Sequence, residues 1–351
     1  MLMRRDAQLA PERLHVVRAT PRDLDAAAAA ADPRHFFLRG AWFAACEGAD
    51  LTIVQRADGR PLAGFGLVDR RVGPFKVREV AGSYWPFRTM TIAADAAAPE
   101  LDAMLGEREL RQRLGRIWRL GPVFADDPAA AKVRQAAAAN GWTVLARPLG
   151  SCFEIDVRAL TADGAWPRAS TMKKNRWREK KLGEIGALEI RRFTGADWRN
   201  EDREAIAAIE RSSWLATEAG AGLQFADARQ RAIWEAVATD PVLAANMQGS
   251  ILHIGGAPSA FTIGLRDGAT FYQIANNYDE RFAQHSPGRT LLIRAFEQAA
   301  RDGIETISWG SGDAGYKSEM GAREGSEIVD LLFVRSRILA AALAPLWQRR
   351  A

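Results

Sequence analysis

Two distant stretches of the chain repeat one plan of strands and turns, and the repeat restricts the folds open to it. In the first, Leu51-Thr52-Ile53-Val54-Gln55-Arg56, the turn Ala57-Asp58-Gly59-Arg60 and residues 62–68 read as a hairpin. In the second, residues 250–254, the turn Gly255-Gly256-Ala257-Pro258 and residues 260–265 read the same way. Later, Arg116-Ile117-Trp118-Arg119-Leu120-Gly121-Pro122 parallels Thr306-Ile307-Ser308-Trp309-Gly310-Ser311. Each of these strands precedes a helix, a glycine (Gly141, Gly321) and a last strand, 142–145 or 328–334. Strand hairpins followed by alternating strands and helices predict an α/β fold, a mixed sheet with helices on its faces, made twice. The pattern breaks at 161–167, so the expected division is 1–160, 161–335 and a tail, 336–351. Two unrelated α/β domains are the alternative.

The second copy carries a feature the first lacks. Residues 269–277 read as a buried strand, and Leu291, Leu292, Ala295, Phe296, Ala299 and Ala300 recur at helical spacing up to Gly303. Between them lies Gln284-His285-Ser286-Pro287-Gly288-Arg289-Thr290. A Gly-containing loop that opens a helix offers unpaired N–H groups at the positive end of the helix dipole, a place for phosphate or pyrophosphate. The strand 305–309 then runs into Gly310-Ser311-Gly312-Asp313-Ala314-Gly315-Tyr316-Lys317, a second Gly-rich loop at a strand end. Ligands of α/β sheets gather at such ends.

Composition excludes several classes. No apolar run reaches the roughly 20 residues that span a bilayer, and the start, Met1-Leu2-Met3-Arg4-Arg5-Asp6, lacks the apolar core of a secretory signal. Cys46 and Cys152 are the only cysteines, and the four histidines show no metal-ligand spacing, so neither a disulfide framework nor a metal is expected. The net charge of +5 suits an anionic cofactor or surface and does not indicate a nucleic-acid binder. Residues 168–181 hold seven basic residues against Glu179, either a solvated face or a docking surface for an anionic acceptor or membrane. The tail joins Ile338, Leu339, Leu343, Leu346 and Trp347 to Arg337, Arg349 and Arg350, with Arg335 just before it. It is too short to span, and it fits either an anionic leaflet or the protein's own sheet.

With these residues in view, the chain resembles the GNAT superfamily, specifically its bacterial cellulose-biosynthesis-type acetyltransferase branch. The resemblance rests on Tyr278-Asp279, Ser286-Pro287-Gly288, Leu291-Leu292, Gly303, Gly312-Asp313 and Tyr316-Lys317. Upstream it rests on Ser170, Lys173-Lys174-Asn175-Arg176 and Trp214, and in the first half on residues 36–42 and Gly121-Pro122. It spans roughly 20 to 335. It implies two tandem GNAT-like domains, each a mixed, mostly antiparallel sheet flanked by helices. It also implies acyl transfer from acetyl-CoA or a longer acyl-CoA to an amine, and kinship with Fem-type aminoacyltransferases. The superfamily's phosphate loop usually has more glycines; here Arg289 is expected to compensate by a charge-assisted contact.

The resemblance places the cofactor on Ser286, Gly288, Arg289 and Thr290, on the strand residues Gln273 and Asn276, and on Lys317, with pantetheine between residues 273–277 and 306–309. Tyr316 is the candidate acid for the leaving thiolate, and Asp313 and Asp279 are candidate bases. The acceptor side is expected at Lys173, Lys174, Arg176 and Trp214. The leading function is a cytoplasmic N-acyltransferase, in possible contact with the inner face of a membrane. Its acceptor is a small-molecule or lipid amine: an amino lipid such as a sphingoid base, an amino sugar or an envelope precursor. The alternatives are Fem-type transfer from charged tRNA, the one case with a nucleic-acid partner, and a degenerate CoA-binding protein.

Overall fold

The computed structural model describes residues 13–82, 88–162, 164, 168–217, 222–312 and 315–348. The strands, in chain order, are β1 (His15–Arg18), β2 (Asp50–Gln55), β3 (Pro61–Val72), β4 (Phe75–Val80), β5 (Thr91–Ile92), β6 (Ile117–Phe124) and β7 (Thr143–Asp156). They continue as β8 (Leu188–Thr194), β9 (Met247–Ile254), β10 (Ala257–Asp267), β11 (Thr270–Tyr278), β12 (Thr306–Ser311) and β13 (Arg323–Val334). The chain forms two compact units: Met1–Leu149 with Glu327–Ala351, and Gly150–Ser326.

In the first unit, β1 to β4 pair antiparallel in sequence order and β5 joins β3. β6 runs parallel to β4, with Arg78 opposite Trp118 and Glu79 opposite Arg119. β13 closes the other side of β6, antiparallel, with Val334 opposite Ile117. The alanine-rich stretches form the helices Pro21–Ala30 and Pro128–Ala139, as expected of the best helix former. The tail forms the helix Arg337–Gln348, and Ala340 is buried in a cluster with Val77, Ile117, Leu332 and Val334. The protein's own sheet therefore takes part of the tail's apolar face, while Ile338 stays 86% exposed and Leu346 55%.

In the second unit, β8 to β11 pair antiparallel, β12 runs parallel to β11, and the end of β7 lies antiparallel on β12 with Ile155 opposite Ile307. This is the plan of the first unit again: four antiparallel strands, a helical crossover, and a fifth strand parallel to the fourth. The helix Pro287–Arg301 forms the second unit's crossover, burying Leu291, Leu292, Ile293, Phe296 and Ala299. Ile155, Phe271, Ile307 and Trp309 pack with it in one apolar cluster.

The units divide at 149/150, not near 160, and residues 327–351 join the first unit instead of the second. Most of the expected break at 161–167 lies outside the described residues, and the hydrogen bonds of β7 onto β12 already commit residues 152–156 to the second unit. Likewise β6 takes β13 as its neighbour. Ladder pairing decides unit membership, and it leaves no composition signal.

Candidate active site

The parallel pair β11 and β12 begins in register, Thr270 opposite Thr306, and its paired residues stop at Tyr272 and Ser308. On the far side of each strand the ladder is irregular just beyond that point. In β11 the register against β10 slips between Gln273 and Ala275, leaving Ile274 as the extra residue. In β12 it slips against β7 between Ser308 and Ser311, where Gly310 adopts φ 78°. Bulges bend a strand and increase its twist, so the two strands part from residue 273 and from residue 309 onward. The peptide groups of β11 beyond Tyr272 are therefore not paired with β12, an arrangement that suits an extended, amide-containing ligand.

Beyond β11, the 3-10 turn Glu280–His285 leads to Ser286, which has φ 51° and ψ 58° and is the one non-glycine residue with positive φ among the described residues. Such backbone strain, about 1–3 kcal/mol, persists only where surrounding structure enforces it, commonly at functional sites. Pro287 then opens the helix, and the Thr290 N–H donates to the Ser286 carbonyl at 3.1 Å. Gly288 and Arg289 sit in the first turn, where N–H groups lack intrahelical acceptors. Gly288 packs closely on Tyr278: a Cβ there would stand 3.0 Å from Cδ1 of that ring, which would have to give by a few tenths of an ångström. Thr290 is 2% exposed, and among the described residues its hydroxyl has no hydrogen-bond partner.

Arg289 pairs closely with Glu319 on the short helix Tyr316–Glu319. From the Ala169–Gly183 helix, Arg178 lies 5% exposed beside them. Burial and the like charge of Arg289 push its guanidinium below the ordinary value, which Glu319 only partly opposes. The Ala169–Gly183 and Pro287–Arg301 helices are tied by Glu179, which accepts from Arg294 Nε at 2.6 Å and Nη2 at 2.8 Å.

The other expected site residues fall as follows. Ser286, Gly288, Arg289 and Thr290 come together at the helix start. Tyr316 follows β12 and packs edge-on against Trp309, ring centroids 5.3 Å apart. Asn276 is half-buried on the open part of β11, opposite Thr262 of β10. Gln273 is buried, and its amide braces the bulge by donating to Thr262 Oγ1 (2.7 Å), the Ile263 carbonyl (3.1 Å) and the Ala275 carbonyl (2.8 Å). Asp313 lies outside the described residues.

Two expectations are corrected. The ammonium of Lys317 is buried and donates to the carbonyls of Gly310 at 3.2 Å and Ser311 at 3.0 Å, so it holds the turn after β12 instead of meeting phosphate. Asp279 is no candidate base. It caps the 3-10 turn through the Arg281 N–H at 2.9 Å and takes the Arg281 guanidinium at 2.6 Å. Burial alone would raise its carboxyl, but the Arg281 bonds hold it below the usual range.

On the acceptor side, Lys173, Lys174 and Arg176 are exposed on the Ala169–Gly183 helix, and Trp177 among them is 53% exposed. Trp214 is 51% exposed, whereas Phe225 is core. Sequence reading missed Arg178, whose spacing from Asn175 and Leu182 marks the one buried stripe of a helix that reads as basic all round. It also missed Glu210, a fully buried carboxylate that accepts N–H bonds from Gln224, Phe225 and Ala226 and fixes that loop. Cys152 behaves as the small core residue expected: its thiol lies 3.1 Å from Ser308 Oγ and is pushed up to about 11 by burial. A cleft of about 390 Å³ lies along the later part of the Pro287–Arg301 helix, lined by Phe271, Ala295, Phe296 and Ala299, away from the helix start.

The corresponding places in the first unit are filled. Past the pairing of Glu79 with Arg119, the Gly121 N–H donates to the Arg88 carbonyl at 2.9 Å. Arg119 bridges Glu79 at 3.2 Å and the fully buried Asp330 at 2.8 Å. Asp330 also takes Arg147 at 2.6 Å. The helix Ala98–Gly106 is already capped by Glu100, which accepts the Ala97 N–H at 2.9 Å, so its positive end has its anion.

The comparisons agree with this geometry. Residues 169–318 match the family described as an acetyltransferase (GNAT) domain. None of the curated proteins compared with the chain matches it. Among solved structures, FemX aligns with a TM-score of 0.61 at 12% identity, over 94% of this chain and 100% of its own. The C-terminal domain (DUF2156) of a putative lysylphosphatidylglycerol synthetase from Agrobacterium fabrum gives 0.54 at 11% identity, over 93% and 94%. A tandem GNAT protein from the clavulanic acid biosynthesis pathway gives 0.51 at 15% identity, over 92% and 99%. The fold is GNAT-like, and residues 169–318 are similar to a GNAT-type acyltransferase domain.

Proposed function

We propose that the second unit is an acyl-CoA-dependent N-acyltransferase acting on a primary amine. One observation carries the reading: the opening between β11 and β12 lies next to a strained, glycine-containing helix start. The donor set suits a CoA diphosphate, since the helix start carries first-turn N–H groups, the guanidinium of Arg289 and the hydroxyl of Thr290, which has no partner among the described residues. Bound acyl-CoA would supply the thioester acyl group. The chain's own part is to hold the diphosphate at Gly288 and Arg289 and to offer β11 peptide groups to an extended amide arm. Tyr316, after β12, is the candidate proton donor to the departing sulfur. The first unit, with its equivalent places filled, carries no such site in this account.

The acceptor is proposed to be amphiphilic: an amino lipid such as a sphingoid base, or an amino sugar or other envelope precursor. The support is the outward face of the Ala169–Gly183 helix, where Trp177 sits among Lys173, Lys174 and Arg176, a composition suited to an anionic interface. Among the described residues no helix is long and apolar enough to cross a membrane, so contact there would be peripheral, in the cytoplasm in this account. Placement in the cellulose-biosynthesis-type branch rests on the quoted motifs.

A second reading, aminoacyl transfer of the Fem type from charged tRNA, is favoured by the likeness of fold to FemX. Release of free thiol from acetyl-CoA and palmitoyl-CoA, followed with a panel of amines and without tRNA, separates the two. Amine-dependent thiol release is the expected result; transfer only from aminoacyl-tRNA would establish the second reading and reject the first.

A further inference from the structure

A guanidinium kept from water without an acceptor is costly, and native proteins rarely retain one. Arg178 comes near to this, as a residue almost wholly buried. It is 5% exposed, and among the described residues no carboxylate or carbonyl accepts from it. The charges that act on it are those of Arg289, which repels it, and Glu319, which is already paired with Arg289. Lys174, one turn earlier on the same helix, also bears on Glu319. Three cations thus share one carboxylate, whose side chain is 63% exposed on a helix of only four residues. The local surplus of two positive charges, three minus one, lies at the positive end of the Pro287–Arg301 helix, where the Thr290 hydroxyl also has no partner among the described residues.

We infer that Arg178 is a specificity-determining cation of a diphosphate subsite at the start of the Pro287–Arg301 helix, and that Glu319 is the counter-ion a bound diphosphate displaces. The inference deepens the acyl-CoA reading and starts from it. A diphosphate diester carries two negative charges at neutral pH, which matches the surplus, and its several oxygens can meet a guanidinium as well as backbone N–H groups. Glu319 is held ionised by Arg289, so it keeps the cations together until a ligand arrives. Its exposure makes it the group that can leave.

The test is calorimetry of the full chain at low ionic strength with CoA and, separately, inorganic pyrophosphate. The variants are Arg178→Met, Arg178→Lys and Glu319→Gln. The expected result is a loss of about 10- to 100-fold in affinity for both ligands in Arg178→Met, partial recovery in Arg178→Lys and a gain of several-fold in Glu319→Gln. Without ligand, Arg178→Met should melt no lower than wild type, because it removes an unpaired buried charge; a merely structural arginine would do the reverse. Wild-type binding of CoA with unchanged affinity in Arg178→Met, or weaker binding in Glu319→Gln, overturns this inference alone. Binding of pyrophosphate but not CoA keeps the subsite and rejects the acyl-CoA reading. Binding of neither by the wild type rejects both.

Discussion

Replacing Gly288 by Asp should separate folding from ligand binding, with opposite signs in two assays. A side chain at 288 places its Cβ 3.0 Å from Cδ1 of Tyr278, so the half-buried ring must move by a few tenths of an ångström. Against that small cost, glycine is the poorer helix former by up to about 1 kcal/mol, and a carboxylate in a first turn gains about 0.3–1 kcal/mol from the helix dipole. The free protein should therefore melt within about 4 °C of wild type. The bound state is different. Two unit charges about 5 Å apart repel by about 3 kcal/mol at an effective dielectric constant near 20. Even halved by salt and applied to a single phosphate charge, this is at least about 10-fold in affinity, and for both charges of a diphosphate about 100-fold. Gly288→Ala carries the same Cβ without the charge and should lose far less. Differential scanning calorimetry and titration calorimetry with CoA read the two quantities. Wild-type CoA affinity in Gly288→Asp, with the fold intact, would refute the placement of phosphate at this helix.

Three other outcomes are expected. Tyr316→Phe, which keeps the ring against Trp309, should lower kcat by about 10²- to 10⁴-fold with little change in KM and remove the alkaline limb of the pH profile; an unchanged profile would leave Tyr316 a packing residue. Asp330→Ala removes the carboxylate partner of the buried Arg147 and leaves Arg119 with Glu79 alone in the first unit, and it should cost about 3–5 kcal/mol in urea unfolding, a figure that a loss below 1 kcal/mol would contradict. The thiol of Cys152, pushed up from about 9 to about 11, should react with iodoacetamide at pH 8 roughly 100-fold more slowly than an ordinary thiol. Because the folded protein holds this proton more tightly than the unfolded chain, the stabilisation is complete below the unfolded value near 9 and is lost as pH rises through about 11.

Much of the fold could be read from residues alone, for reasons that are local. Hairpin turns such as Ala57–Arg60 and Gly255–Pro258 and the helical periodicity after Pro287 report structure within a few residues of themselves. Both copies therefore have the strand order the repeat predicts, and the helix start falls where Ser286-Pro287-Gly288 puts it. The membership of β13 and of the end of β7 depends on pairing across long sequence separations, and nothing near those strands encodes their partners. Charge also misled. Lys317 reads as a phosphate contact and Arg178 as part of an exposed basic face, because lysine and arginine are usually exposed, yet one is buried on carbonyls of its own turn and the other faces Arg289 and Glu319. Asp279 reads as a base until its partner two residues on, Arg281, is seen to occupy it.

The central claim is that the start of the Pro287–Arg301 helix grips the diphosphate of an acyl carrier whose arm lies between β11 and β12. A crystal structure of the CoA complex tests it most directly. The account predicts phosphate oxygens within hydrogen-bond distance of the Gly288 and Arg289 N–H groups and the pantetheine chain paired with β11 beyond Tyr272. Clear density for CoA elsewhere on the chain, with this helix start untouched, would contradict it.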